Sequence, residues 1–286
     1  MRFSLGAPAP DRLRAMTAST LTIVLPAYNE EARLGPALDE LFGYLRRHGE
    51  QGRDGAPGPA RLPDDVRVLV VDDGSTDATA DLVRARRETA ATTVSGAPLL
   101  ALLAAPHGGK GAAVRAGMLA AETDLAIFAD ADMATPPDQL PLLVEALRDH
   151  DVALGSRIQP DGSDMRRSQP AIRRLLGRAF HGFASVWAVG HVQDTQCGFK
   201  GFTHQAAHDL FTQQKITSIV FDVELIYLAR RRGYRMAIVP IVWSDKHGSR
   251  MHPGLRLGLR VGWDLFRTPF LHRRVARRHE RRGSEG

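Results

Sequence analysis

The chain is poor in the features that would make it a secreted or membrane-spanning protein. Among 286 residues there is one cysteine, Cys197, so no internal disulfide framework exists. That suits a reducing compartment, and a buried structural thiol is expected there rather than a reactive one. No stretch approaches the roughly 18 uninterrupted apolar residues that a spanning helix needs. Met1 to Ala18 carries Arg2, Arg12 and Arg14 alongside proline and aspartate, with no apolar centre. A flexible leader over residues 1–20 is expected instead of a signal peptide. Aromatic residues make up only 6% of the chain, so any local clustering of them carries information.

What is present is a repeated plan of apolar run followed by polar stop. Leu21 to Leu25 ends at Pro26-Ala27-Tyr28-Asn29-Glu30-Glu31, with a helix expected from Glu31 to Arg47. Val66 to Val71, rich in β-branched residues, ends at Asp72-Asp73-Gly74-Ser75-Thr76-Asp77, with a helix expected over Ala78 to Arg87 and Asp77 as its cap. Leu125 to Ala129 delivers Asp130-Ala131-Asp132. Three strands alternating with helices describe an open α/β sheet whose ligand crevice lies beyond the carboxyl ends of the strands. Paired carboxylates there suit Mg²⁺ or Mn²⁺ with room left for phosphates and water, although the same triplet also suits a solvated turn. The Gly/Pro-rich stretch from Gly49 to Pro63 reads as a surface insertion, and Thr89 to Pro98 as a second loop.

His107-Gly108-Gly109-Lys110-Gly111 offers exposed N–H groups and a lysine to an anion but lacks the Walker A spacing. Lys110 either faces an anion or simply starts a helix. His204 and His208 are spaced for one helix face, but Gln205 stands where a zinc hydrolase needs glutamate, so a wet surface is expected.

In their order and spacing, the segments Pro26–Glu30, Val71–Asp77 and Asp130–Asp132 resemble family 2 glycosyltransferases of the GT-A fold, over roughly residues 20 to 250. Asp194-Thr195-Gln196-Cys197-Gly198-Phe199-Lys200 and Phe221-Asp222-Val223-Glu224-Leu225 are similar to the dolichyl-phosphate β-glucosyltransferase branch, with the mannosyltransferases as near relatives. The resemblance implies a Rossmann-like open mixed sheet flanked by helices, spanning residues 21–250. It implies that Pro26, Tyr28, Glu30, Val71 and Asp73 line the nucleoside pocket, with Ala131 and Lys110 bordering the donor. Asp132 and Asp130 would hold Mg²⁺ or Mn²⁺, Asp132 more directly. Ala134 stands where mannosyltransferases often carry a polar ligand. Arg157 would meet the diphosphate, and Asp194 would position acceptor and sugar or, alternatively, act as base. Gln196, Lys200, Lys246 and Arg250 would bind the acceptor phosphate, and Arg166, Arg167, Arg173 and Arg174 either close over it or belong to a solvated loop. Phe221, Leu225, Tyr227 and Leu228 would face the core, with Asp222 and Glu224 near the acceptor.

Charge is uneven. From Arg250 onward, ten arginines face three carboxylates, a net of +7 in a chain whose total is +6. Leu255, Leu259, Trp263, Phe266 and Phe270 form a stripe at helical spacing beside Arg256, Arg260 and Arg267. A basic amphipathic segment over 251–286 that binds an anionic membrane is one reading; packing onto the core, or a strand, is the other. Nucleic acid is a weaker partner.

The function expected is inverting transfer of glucose from UDP-glucose to a polyprenyl phosphate, peripherally at the cytoplasmic face of a membrane. The alternatives are another donor sugar (mannose or N-acetylglucosamine), a soluble acceptor such as phosphoglycerate, and a non-catalytic sensor. The motifs argue against nucleotidyl transfer, and oligomeric state is not legible.

Overall fold

In the computed structural model the described residues are 20–51, 61–165, 192, 194–244 and 255–276. Lys246, Arg250, Arg166, Arg167, Arg173, Arg174, the leader and the end of the tail lie outside them. The element order is β1 (Thr20–Ala27), α1 (Glu31–Gln51), β2 (Asp65–Asp72), α2 (Thr79–Arg84), β3 (Leu100–Ala104), α3 (Lys110–Ala120) and β4 (Leu125–Phe128). It continues with α4 (Leu140–Asp149), β5 (Val152–Ser156), β6 (Lys200–Thr203), α5 (His204–Gln213), α6 (Phe221–Arg232), β7 (Met236–Pro240) and α7 (Leu255–Leu271).

Seven strands form one sheet in the order β3-β2-β1-β4-β6-β5-β7. β3, β2, β1 and β4 run parallel, β6 lies antiparallel between β4 and β5, and β7 pairs parallel to β5. The expected open mixed sheet is therefore the observed one. β4 is buried at all four positions because helices cover both faces, which is why its sequence is an unbroken apolar run. Two hydrophobic clusters result, one on each face of the sheet. Val24, Val71, Phe128 and Phe202 join one, and Ile23, Val70, Ile127 and Ala153 the other, as the two-residue side-chain period requires.

Boundaries shift from expectation at two helices. α1 runs on to Gln51, whereas the helix after β2 stops at Arg84 and gives way to a 3₁₀ turn over Arg87–Thr89. The Arg86 side chain reaches Asp39 and Glu88, turning the chain there. α6 ends cleanly at Gly233, whose φ of 78° is cheap only for glycine.

The strand order reverses direction at β1, which has β2 on one side and β4 on the other. This is the switch point at which α/β sheets open a crevice. Register brings Ala27 level with Asp72 and Val24 level with Phe128, so the three polar segments leave the sheet along one edge.

Candidate active site

The loops after β1 and β2 are laced together before they meet any ligand. Asn29 sits in the left-handed region at φ 54°, a conformation asparagine tolerates, and its side chain accepts the Thr76 N–H at 2.8 Å. Its own N–H goes to Ser75 Oγ, and the Glu30 N–H to Thr79 Oγ1. Asp77 accepts the N–H groups of both Thr79 and Glu31, while Glu31 accepts that of Ala78. Asp77 thus serves the starts of two helices, a wider role than the single cap expected of it.

Tyr28 projects from this knot, partly exposed, with its ring stacked on His107 at a centroid distance of 4.3 Å. With one side on His107, the Tyr28 ring keeps its other side to stack on a base. Asp73 behaves differently from expectation. It is almost fully buried, and its two oxygens accept the N–H groups of Gly108 (2.8 Å) and Gly109 (2.9 Å). Its carboxylate therefore shapes the His107–Lys110 loop, and those amides are turned toward it. Val71 is fully buried against Gly117 of α3, so its side chain faces core rather than a nucleoside. Pro26, next to last in the strand, is half-buried.

Asp130 and Asp132 leave β4 in a tight turn. The Met133 N–H returns to the Asp130 carbonyl, Met133 takes φ 50°, and the Ala134 N–H donates to Asp132 Oδ1 at 3.1 Å. A buried, unbranched residue held in the left-handed region is strain that the surrounding packing maintains. Burial, then repulsion from Asp130, pushes the Asp132 carboxyl above the usual carboxylate range. Ala131 is buried between the two acids.

Cations of the chain converge on them. Lys110, at the start of α3, reaches Asp130 Oδ1 at 2.5 Å; burial opposes its charge, but Asp130 and Asp222 outweigh this and raise its pKa. Arg33, which no motif announced, forks onto Glu30 (2.7 and 2.5 Å) and extends to Asp132 Oδ2 at 3.5 Å. The Glu30 fork is the main reason its pKa is raised. The legible signal was Glu30-x-x-Arg33, one helical turn apart at the mouth of the crevice.

The floor is formed by residues 194–200. Gly198 lies so close to Asp130 that a β-carbon would overlap its carboxylate, which explains why a glycine stands there. Gln196 is half-buried. Asp194 is buried and bound to Arg157 three times, by Nε (2.8 Å), Nη2 (2.6 Å) and the main-chain N–H (2.9 Å). Burial opposes the Arg157 charge, but Asp194 more than restores it. Arg157 also lies over the Trp243 ring at 5.5 Å. Both oxygens of Asp194 are thus engaged by Arg157.

Lys200 corrects another expectation. Its side chain is wholly buried, with Nζ 2.5 Å from both Asp222 Oδ1 and the Cys197 carbonyl, so it cannot touch an acceptor from where it stands. Phe221, Leu225 and Leu228 are buried as expected. Glu224 is buried too, held by His272 at 2.6 Å and by the N–H groups of Lys215 and Ile216.

The glycosyl transferase family 2 profile matches residues 22–211. This chain belongs to that family. It is 37% identical to dolichyl-phosphate β-glucosyltransferase of Drosophila melanogaster over 86% of this chain and 73% of that protein. It is 32% identical to the Homo sapiens protein of the same name, over 86% and 73%. Glucosyl-3-phosphoglycerate synthase from Mycobacterium tuberculosis, crystallised with Mn²⁺, UDP and glucosyl-3-phosphoglycerate, superposes with a TM-score of 0.54. There the identity is 19% and the coverage 94% of this chain and 85% of that one, a likeness of fold. The protein is thus a transferase of the GT-A type. A divalent ion fits its rim: Asp130 and Asp132 are hard oxygen donors, partly desolvated and mutually repelling, and already draw two cations from the chain itself.

Proposed function

We propose that this enzyme transfers glucose, with inversion, from UDP-glucose to the phosphate of a dolichyl-type polyprenyl lipid. The observation that carries the reading is the Lys110–Asp130 contact beside Asp132 at the end of β4, in a chain similar over most of its length to dolichyl-phosphate β-glucosyltransferases. Tyr28, backed by His107, would stack on the uracil, and Lys110 and Arg157 would meet phosphate oxygens, Arg157 through Nη1 because its Nε and Nη2 go to Asp194. Asp130 and Asp132 would hold Mg²⁺ or Mn²⁺, which stabilises the charge that develops on the departing diphosphate. A lipid phosphate has its second pKa near 6, so it is already largely a dianion at neutral pH and needs no base. This agrees with an Asp194 committed to Arg157.

Residues 21–250 would form the catalytic unit and α7 a contact with the membrane. α7 has two unlike faces. Asp264, Leu265, Thr268 and, just beyond the helix, His272 are buried, with Ser218 donating to Asp264 at 2.6 Å. Leu259, Trp263, Phe266 and Phe270 face outward, 67%, 60%, 42% and 55% exposed, and their aromatic rings touch one another. Arg260 is exposed and Arg267 partly so beside them. An aromatic stripe edged by arginines suits the headgroup layer of an anionic bilayer, where attraction is about 1 kcal/mol per basic residue near the surface. Among the described residues no helix is long and apolar enough to cross a membrane.

The test is incubation of the purified protein with Mn²⁺ and UDP-glucose, GDP-mannose or UDP-N-acetylglucosamine, each with polyprenyl phosphate or with phosphoglycerate. A glucolipid formed only from UDP-glucose, and lost in Asp132→Ala, is expected. A product on phosphoglycerate alone would replace the lipid acceptor with a soluble one.

A further inference from the structure

Arg33 belongs to none of the strand-end motifs, yet it meets the acid at their centre. Its anchor is Glu30, and its reach to Asp132 Oδ2 is long, at 3.5 Å. On the other side Lys110 lies 2.5 Å from Asp130 Oδ1. Each carboxylate of the Asp130–Asp132 pair is therefore faced by a cation of the chain itself, one from α1 and one from α3. The three acids Glu30, Asp130 and Asp132 against these two cations leave a net charge of −1.

A dication arriving alone finds Asp132 already faced by Arg33 and little net charge to attract it. Arriving with a nucleoside diphosphate, it brings negative charge of its own. Arg33 then gains phosphate oxygens that match its planar fork, so leaving Asp132 costs it no partner. Its side chain is partly exposed and its 3.5 Å contact with Asp132 is looser than its two bonds to Glu30, which makes the exchange a small motion. Arg157 differs, being bound three times by Asp194.

We infer that Arg33 is a placeholder cation: it covers Asp132 in the donor-free protein and yields to a divalent ion only when a nucleoside diphosphate comes with it. The role is one of positioning, and it rests on the reading of Asp132 as a metal ligand. Metal and nucleotide then bind as a coupled pair, and the coupling is reciprocal.

Mn²⁺ binding is measured by electron paramagnetic resonance of the free ion, with and without UDP. Wild-type protein, Arg33→Gln, Arg33→Lys and the double variant Glu30→Gln with Arg33→Gln are compared. Wild type should bind Mn²⁺ at least about tenfold more tightly with UDP, a factor equal to 1.4 kcal/mol. Arg33→Gln should bind Mn²⁺ alone about tenfold more tightly than wild type, shrinking that ratio, whereas Arg33→Lys keeps the charge and should preserve it. The double variant restores the net charge but leaves Asp132 uncovered, so tighter binding must persist in it. Should the gain vanish in the double variant, or Arg33→Gln bind Mn²⁺ alone no better than wild type while UDP-dependent binding survives, the placeholder is wrong and the metal site stands. Absence of Mn²⁺ binding by wild type even with UDP would remove the metal reading and this inference together.

Discussion

Lys110–Asp130 and Lys200–Asp222 are the same chemical pair at the same separation, 2.5 Å, and both sit beside the end of β4. They differ in access to water. The first pair is 36% and 35% exposed at its side chains, the second 0% and 5%. An accessible pair can trade partners, because water and phosphate oxygens can take over each charge as it leaves. A dry pair cannot, because either charge left alone in a low-dielectric interior is prohibitively costly. The comparison leaves Lys110 able to change partners and fixes Lys200 in the framework.

The most damaging way to test this is to remove each lysine in turn. Lys200→Met leaves Asp222 buried without its cation, and loss of one partner of such a pair costs about 3–5 kcal/mol. Burial already holds the Asp222 carboxyl above the usual range, with Lys200 and Lys110 pulling it back, so the uncompensated acid would be forced toward its neutral form. Lys110→Met should cost no more than about 1 kcal/mol, as partly exposed pairs do, while weakening UDP binding. Urea unfolding of both variants decides the matter; equal losses would erase the distinction.

Gly198→Ala comes next. The added methyl collides with the Asp130 carboxylate, and overpacking of this kind costs about 1–3 kcal/mol. Because Asp130 is the acid displaced, UDP-dependent Mn²⁺ binding should fall along with stability. A variant that lost stability and kept full Mn²⁺ affinity would show that the 194–200 segment supports the fold without setting the donor site. Replacing Trp263 and Phe266 together by serine works at the other extreme. These rings face outward, so stability should change by less than about 0.5 kcal/mol per site, while sedimentation with anionic vesicles should drop strongly. Undiminished sedimentation would take the membrane contact away from α7.

The strand ends that carry the candidate site were legible because their signals are local. Apolar β-branched runs stopped by Pro26, Asp72 and Asp130 mark strand ends whatever the rest of the chain does. Burial of a charged side chain is not local: Lys200 is dry because Asp222, 22 residues later on α6, comes to meet it. Arg33 was missed for a similar reason, since its approach to Asp132 depends on the turn that Asn29 makes with positive φ. The α7 stripe fitted helix and strand alike in the sequence, and neither its helical form over Leu255–Leu271 nor its outward direction was decided there. An apolar stripe usually marks the core face. Here polar residues with dedicated partners, Asp264 with Ser218 and His272 with Glu224, take the inner side.

Cys197 offers the finest probe of the comparison. It is buried within the segment that links Asp194 to Lys200, and its thiol pKa is pushed up to about 12, by burial first and by Asp194 next. Only the thiolate is nucleophilic, so the native protein should resist iodoacetamide at pH 8 and react once unfolded, where a free thiol titrates near 8.5. Stability follows the same sign: the native thiol keeps its proton while the unfolded one loses it, so this group's contribution falls as pH rises from about 9 to about 12. Since Cys197 is the only cysteine, the alkylation rate reports opening of this segment alone. Lys200→Met should speed it markedly and Lys110→Met hardly at all. If both accelerated it equally, the crevice and its floor would open as one unit, and the two lysine pairs would differ in exposure without differing in role.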